Sequence, residues 1–506
     1  MSVLLDTPLA EQAFRGRPLQ SLERDGVIKL PQNSPSRPSF HITAPNGWLN
    51  DPCGLGYDPS TGLYHLFFQW NPHGNDWGNM SWAHATSPDL VSWSISPKPA
   101  MTPSTEYDRC GVFTGCCRAT DVHGQPGPLT IVYTSVRHLP IHFTLPYTVG
   151  CESVSLAVSH DGGETWKRQD CNPFLTRPPD HLSVTGWRDP CLANWAQRPY
   201  HGPEPPESDF CGFVSGGIVG RTPTVFAYAV NPKNLAEWRY IGILADVGLN
   251  FRPSRWSGDF GVNWEVANFM TLNNPSGETR DFVIMGAEGC LPTQNTEEAR
   301  YRRDPRGMMW MSVKASKENQ TPGNALATFS FAGIFDHGLL YAANSFWDPL
   351  TSQRIVYGWI LEEDLPDGPR HRQGWSGMIS LPRVVRLMTL HNVVKARSSS
   401  LESITSIEAI PDAARNTYTI HTLGISPEPR ISLLRRGAQR NHIEGVPLLS
   451  SSSLSSKCRL PLKSPRWELQ AEFAVGTSAR RVGIELGHSE GELLPSNRAI
   501  YHGYSG

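Results

Sequence analysis

One shape recurs at near-constant spacing along the first half of the chain. Ala85–Trp93, Ala157–Trp166 and Ala229–Trp238 each read as a strand, a polar turn and a Trp that opens the next strand. From Trp93 to Trp166 is 73 residues, and from Trp166 to Trp238 is 72. Unrelated hairpins would not keep step, so the period marks strand–turn–strand blades arranged around an axis, with each Trp packed between neighbouring blades. The run from 40 to 390 holds about five such periods, which predicts an all-β chain built on a five-bladed β-propeller. Forty-five Gly, 43 Pro and 16 Trp among 506 residues agree with many short strands joined by turns.

The ends have a different texture. Residues 1–38 are rich in Pro, Arg and polar residues and read as an N-terminal arm to a propeller over 39–390. Over 391–506 the serine runs Ser398–Ser400 and Ser450–Ser456 alternate with strand-like patterning at Trp467–Ala474 and Arg481–Leu486, which predicts a second, smaller β-domain. A sheet that small would leave an unpaired edge or exposed apolar face, which predicts marginal stability or pairing with another chain, so a homo-oligomer is left open.

Charge narrows the function classes. The 45 basic and 47 acidic residues nearly cancel, and no basic run is long enough to track phosphates, which argues against nucleic acid. No stretch of about 18 apolar residues offers a membrane span. Met1–Gln20 lacks a basic flank and an apolar run, so the expectation is a cytoplasmic protein whose ten Cys stay reduced. The sequons at Asn79 and Asn319 would matter only in a secreted protein.

In a propeller the innermost strand of each blade lines one central funnel, so acids far apart in sequence converge there. The stretches Trp48–Gly54, Gly111–Cys116, Trp187–Pro190, Trp264–Asn268 and Asp336–Tyr341 supply one candidate per blade. Three carry a carboxylate beside a Trp or an Arg: Asp51, Asp189 and Glu265. Acetal cleavage uses such a set, one carboxylate ionised to attack the anomeric carbon and another protonated to release the leaving oxygen. Asp51, the shorter acid in a polar turn, is read as nucleophile. Glu265, between Trp264 and Val266, is read as acid/base with a raised pKa. Asp189, beside Arg188, is read as an ionised group that grips hydroxyls or faces oxocarbenium charge. The plainer alternatives are a surface Asx-turn for Asp51 and a surface ion pair for Arg188 and Asp189. Asn50 and Gln69 donate and accept at once, as sugar hydroxyls require, and Trp77 offers an aromatic wall.

Eight motifs then occur in a familiar order across about 340 residues. They are Trp48-Leu49-Asn50-Asp51-Pro52, Phe67–Pro72, Trp77-Gly78-Asn79, Trp82–Ser87, Phe113-Thr114-Gly115, Arg188-Asp189-Pro190, Glu265, and Trp375-Ser376-Gly377 with Leu381-Pro382-Arg383. The chain resembles glycoside hydrolase family 32, the invertases, inulinases and fructosyltransferases. Ser159–Trp166 is also similar to the Asp-box hairpin of several propeller glycosidases. The family resemblance implies a five-bladed propeller followed by a β-sandwich, and retaining fructosyl transfer through a covalent intermediate. It further implies Asp51 as nucleophile, Asp189 as transition-state stabiliser and Glu265 as acid/base, with no metal and no cofactor. Asn50, Gln69, Trp77, Phe113, Thr114, Arg188 and Trp375 would line the sugar site.

Within the family, Tyr133–Val136, Leu139–His142, Pro146–Thr148 and Gly286–Gly289 resemble the fungal fructosyltransferases and β-fructofuranosidases. That likeness implies Glu288 on the acceptor side, against the alternative of a loop carboxylate. His142 is left between a ligand and a core histidine. Two positions depart from the family pattern: Cys53 follows Asp51-Pro52 where Asn is usual, and Val266-Ala267 follows Glu265 where Cys-Pro is usual. The expected activity is cleavage of sucrose and related β-fructosides, with transfer to short fructo-oligosaccharides. The competing readings are an exo-hydrolase of inulin-type fructans, an inverting furanosidase and a sugar-binding propeller without activity.

Overall fold

The computed structural model describes residues 37–199, 208–291, 306–316, 325–362, 367–445, 467–475, 482–486 and 499–503. The N-terminal arm up to residue 36, Asn319 and the Ser450–Ser456 run lie outside them. Four antiparallel sheets follow one another along the chain. The first holds β1 (Gly47–Asp58), β2 (Leu63–Asn71), β3 (Ser81–Ser87) and β4 (Ser94–Ile95). The second holds β5 (Gly111–Thr120), β6 (Pro126–Val136), β7 (Glu152–Ser159) and β8 (Lys167–Arg168). The third holds β9 (Val184–Asn194), β10 (Phe210–Ile218), β11 (Thr222–Asn231) and β12 (Asn234–Ile243). The fourth holds β13 (Asn263–Asn273), β14 (Thr279–Glu288), β15 (Arg306–Ala315) and β16 (Ala327–Asp336). A fifth starts with β17 (Leu340–Asp348) and β18 (Gln353–Ile360). The first strands β1, β5, β9, β13 and β17 touch in a closed ring, which makes the sheets the five blades of a propeller.

A short segment closes the ring. After the short helix α1 (Asp367–Gln373), β19 (Trp375–Ser376) pairs in parallel with β1, Gly47 facing Trp375, while β20 (Met378–Ile379) pairs with β18. Five consecutive residues therefore stitch the first blade to the fifth. Gly377 makes the crossing possible: its φ is +80°, and a Cβ there would run into the Leu49 carbonyl. The fifth sheet continues with β21 (Arg383–Val393), then β22 (Glu408–Asp412) and β23 (Thr417–Pro427), in the order β17-β18-β21-β23-β22. Residue 390, the expected end of the propeller, falls inside β21.

The repeat that announced the blades has a physical core. The indole Nε1 of Trp93, Trp166 and Trp238 each donates to the carbonyl three residues back, Leu90, Gly163 and Leu235, at 3.1, 3.1 and 2.8 Å. Each ring then meets an aromatic side chain from the preceding part of the ring: Trp93 on Tyr357, Trp166 on Phe67, Trp238 on Phe174. The third hairpin differs in one respect. Asn231 already pairs with Asn234, so Trp238 sits inside β12 rather than at the start of a strand.

The chain divides into two compact units, residues 1–395 with 401–434, and 396–400 with 435–506. In the second unit β24 (Val482–Leu486) pairs antiparallel with β25 (Ala499–Gly503). Residues 467–475, expected as a strand, are described without regular structure: none of their backbone groups pairs with a described neighbour, and Trp467, Leu469, Phe473 and Val475 are exposed.

Candidate active site

Every inner strand breaks step at the same level. In β1 four residues, Leu49 to Pro52, lie opposite three of β2; the same happens at Val112–Gly115 in β5, Arg188–Cys191 in β9, Glu265–Asn268 in β13 and Tyr341–Asn344 in β17. Each is a β-bulge, one extra residue that bends the strand and re-aims a side chain. Asp189, Val266 and Ala342, one in each of three bulges, adopt φ of +62°, +46° and +47°, a region non-glycine residues rarely enter. The bulges carry Asn50 and Asp51, Phe113 and Thr114, and Asp189, and they follow Glu265 and Tyr341 directly. A strand of regular alternation would send half of these side chains away from the axis.

The result is one cluster of acids, each held by its own hydrogen bonds. Thr114 Oγ1 donates to Asp51 Oδ2 at 2.6 Å, and Gln69 Nε2 donates to Thr114 Oγ1. Asn50 Nδ2 donates to Asp51 Oδ1 at 3.2 Å, while its own Oδ1 accepts from the Trp48 indole at 3.0 Å. Asp189 Oδ2 accepts the Val266 N–H at 3.0 Å, and the Asp189 N–H donates to Thr134 Oγ1 at 2.7 Å. Arg188 Nε and Nη2 donate to Glu265 Oε1 at 3.1 and 2.8 Å, and Tyr341 Oη donates to Glu265 Oε2 at 3.0 Å. Arg188 Nη2 also lies 3.6 Å from Glu288 Oε2, which accepts from Asn263 Nδ2 at 2.8 Å. Arg306 lies over the Tyr341 ring, 4.9 Å from its centroid.

The proton distribution is opposite to the sequence expectation. Burial raises the Asp51 carboxyl to about 6, with neighbouring Glu265 adding to the rise and Thr114 opposing it. Asp189, expected to stay ionised, is pushed well above the carboxylate range by burial, despite Arg188. Glu265, expected to be raised, is pushed up by burial but held below its ordinary value by Arg188, Arg306 and the Tyr341 hydroxyl. Of the two glutamates the raised one is Glu288, at about 8, through burial and the nearby Glu265 charge. Arg188 explains the reversal: its guanidinium lies directly on Glu265 and only reaches towards Glu288.

Of the sequence-predicted residues, Asn50, Asp51, Gln69, Thr114, Arg188, Asp189, Glu265 and Glu288 all belong to this group. Trp77 and Phe113 stand together at its edge, ring centroids 5.8 Å apart and edge to face, with Trp77 39% exposed. Trp375 is placed differently. It is buried in β19, its carbonyl accepts from Asn75 and Gln373, and no described hydrogen bond ties it to the acids. His142 is half-buried and bonds Thr144, so it is not a core histidine. The departure at Ala267 also finds a use: its N–H, which a Pro would lack, donates to Ser215 Oγ at 2.8 Å. Sequence reasoning missed Glu152, Thr134, Asn263, Arg306 and Tyr341. Tyr341 and Thr134 lay in stretches singled out beforehand, and Asn263 stands two residues before Glu265, but none was given a role; Glu152 and Arg306 sit on no motif. A cavity of about 520 Å³ on the second blade, bounded by Tyr107, Arg137, Val149, Pro173 and Arg177, includes none of the acids.

Residues 41–397 match the Glycosyl hydrolases family 32 N-terminal domain. The chain belongs to glycoside hydrolase family 32. Among its family 32 relatives, the cell wall isozyme of β-fructofuranosidase from Zea mays is 25% identical over 401 residues, covering 76% of this chain and 60% of the relative. Insoluble isoenzyme 3 of β-fructofuranosidase from Oryza sativa subsp. indica is 27% identical over 386 residues, covering 72% and 56%. The chain thus spans less than two thirds of the length of these curated relatives. Among solved structures, a fructosyltransferase from A. japonicus matches with a TM-score of 0.66 and 27% identity over 79% of this chain and 68% of its own. Aspergillus kawachii β-fructofuranosidase complexed with glycerol matches at 0.67 and 26%, over 82% and 70%.

Proposed function

We propose that this family 32 chain is a retaining β-fructofuranosidase that cleaves sucrose and related β-fructosides and passes the fructosyl group to water or to a second sugar. The observation that carries the reading is the convergence of Asp51, Asp189 and Glu265 from three different inner strands into one cluster whose charges act on one another. The names of the relatives, β-fructofuranosidases and a fructosyltransferase, support the same substrate class.

In the first step Asp51 attacks the anomeric carbon of the fructosyl unit, the bond to the glucosyl oxygen breaks, and that oxygen takes a proton. Glu265 and Glu288 flank the same Arg188 edge and titrate as a pair, which holds one proton near neutral pH. Glu265 delivers that proton to the leaving oxygen. Asp189, fixed by the Val266 N–H and holding its proton through burial, hydrogen-bonds the ring hydroxyls of the fructosyl unit and stabilises the transition state through those bonds. In the second step Glu265 takes a proton from water or an acceptor hydroxyl, which attacks the same carbon and frees Asp51. The likeness to the fungal enzymes assigns Glu288 to the acceptor side, where a second sugar competes with water.

The test is a product assay with sucrose at low and high concentration, resolving glucose, fructose and trisaccharides. Equal glucose and fructose at low sucrose is expected for hydrolysis, and a glucose excess that grows with sucrose is expected for transfer. Asp51→Asn is expected to lower kcat by about 1,000-fold or more, as for loss of any covalent nucleophile. Wild-type-like activity in that variant, or sucrose binding without release of reducing sugar, overturns the reading.

A further inference from the structure

Among the described residues, one carboxylate is wholly buried, touches the site and has no part in the chemistry above. Glu152 opens β7, the third strand of the second blade, and its side chain is 0% exposed. Its Oε1 accepts from Arg188 Nη1 at 2.9 Å, and its Oε2 accepts the backbone N–H of Trp187 at 3.0 Å. The two oxygens therefore hold one residue's guanidinium and the preceding residue's backbone, at the point where β9 is about to enter its bulge. Arg188 is gripped from behind, so its Nε–Nη2 edge is the one presented to Glu265 and Glu288.

We infer that Glu152 is a positioning residue that fixes Arg188 and, through it, sets the acidity of the Glu265–Glu288 pair. The inference rests on the proposed roles of those acids. A carboxylate is costly to bury, and Arg188 could be satisfied by Glu265 and Glu288 alone; a third carboxylate behind it dilutes the cation's hold on the pair in front. The charged and titratable groups facing this centre are Arg188 and Asp189 on β9, Glu265 on β13 and Glu288 on β14. Arg306 on β15, Tyr341 on β17 and Asp51 on β1 complete the pocket side. Tyr147 and Cys151 lie beside Glu152 itself.

The sign follows from charge alone. Glu152→Gln removes a negative charge near the pair and leaves Arg188 more completely to Glu265, and both effects favour the ionised acid. The basic limb of kcat/KM for sucrose, where the donating acid loses its proton, is expected to move down by about 0.5–1 pH unit. Glu152→Asp keeps the charge on a shorter arm, so the limb should stay in place while kcat falls about tenfold and KM holds, because the guanidinium is no longer gripped. A Gln variant that folds with an unmoved limb, or an Asp variant with wild-type kcat, overturns the inference. If the Gln variant fails to fold, the Asp variant decides alone. A wild-type protein inactive on fructosides overturns the functional reading, and the inference with it, whatever the variants do.

Discussion

At Arg188 a single guanidinium meets Glu152, Glu265 and Glu288, and the acids outnumber the cations around it. Buried carboxyls in that surplus cannot all ionise, so protons are retained inside the site at a pH where exposed acids would have lost them. The nucleophile must be ionised, and Asp51 sits at about 6, so kcat/KM is expected to fall below that pH. The proton donor must hold its proton, and the pair lets it go near 8, so activity is expected to fall above that pH. Thr114 separates the two limbs. Its hydroxyl is the hydrogen bond that most favours ionised Asp51, so Thr114→Val should move only the acidic limb, upwards, and lower kcat/KM at pH 6 by roughly tenfold. An unmoved acidic limb would detach Asp51 from that limb. These assignments show where sequence stops. Asp51, Asp189 and Glu265 are legible because each lies beside a Trp, an Arg or a turn in the repeat. Their protonation is not, because it depends on which side of Arg188 each acid meets.

At the scale of elements, the bulged inner strand is the device that turns a β-sheet edge into a site. Bulges leave little trace in a sequence: one extra residue in a largely buried strand alters no alternation that can be read, and only Asp51-Pro52 and Asp189-Pro190 hint at a break. The missed residues share that cause. Glu152 and Thr134 reach the site from the second and third strands of a blade, whose contribution depends on register with a neighbour. By contrast, the blades themselves were legible, since the Trp93, Trp166 and Trp238 hairpins repeat a local bonding pattern that the sequence spells out. The closing segment tests how tightly site and ring are coupled. Gly377 combines positive φ with a close approach to the Leu49 carbonyl, one residue before Asn50. Gly377→Ala is expected to cost about 2–3 kcal/mol in a urea titration and to lower kcat as β1 shifts. An unchanged midpoint would mean that the segment yields freely and does not hold β1.

For the propeller as a whole, the interface between the first two blades contains a polar joint that sets a lower pH limit on stability. His65 Nδ1 and His84 Nε2 lie 2.9 Å apart, and the His84 ring stacks on Phe67, which also meets Trp166 of the second blade. A Cβ added to Gly163 would strike the His84 ring, so the second blade's hairpin turn is packed on this imidazole. One ring nitrogen must donate and the other accept, so the accepting ring must be neutral. Burial, with His65 close by, lowers His84 from 6.5 to about 3, and burial lowers His65 as well. The unfolded chain takes up a proton at His84 below about 6.5 while the folded chain refuses it until about 3. Stability from this group is therefore complete above 6.5 and is lost progressively as pH falls, by about 2 kcal/mol at pH 5. Urea midpoints at pH 7 and pH 5 check this against His84→Asn, which cannot titrate. The wild type is expected to be the more stable at pH 7, for its stacking and its hydrogen bond, and to lose most of that margin by pH 5. A margin that stays constant across the two pH values would show that the pair does not govern how the blades respond to acid.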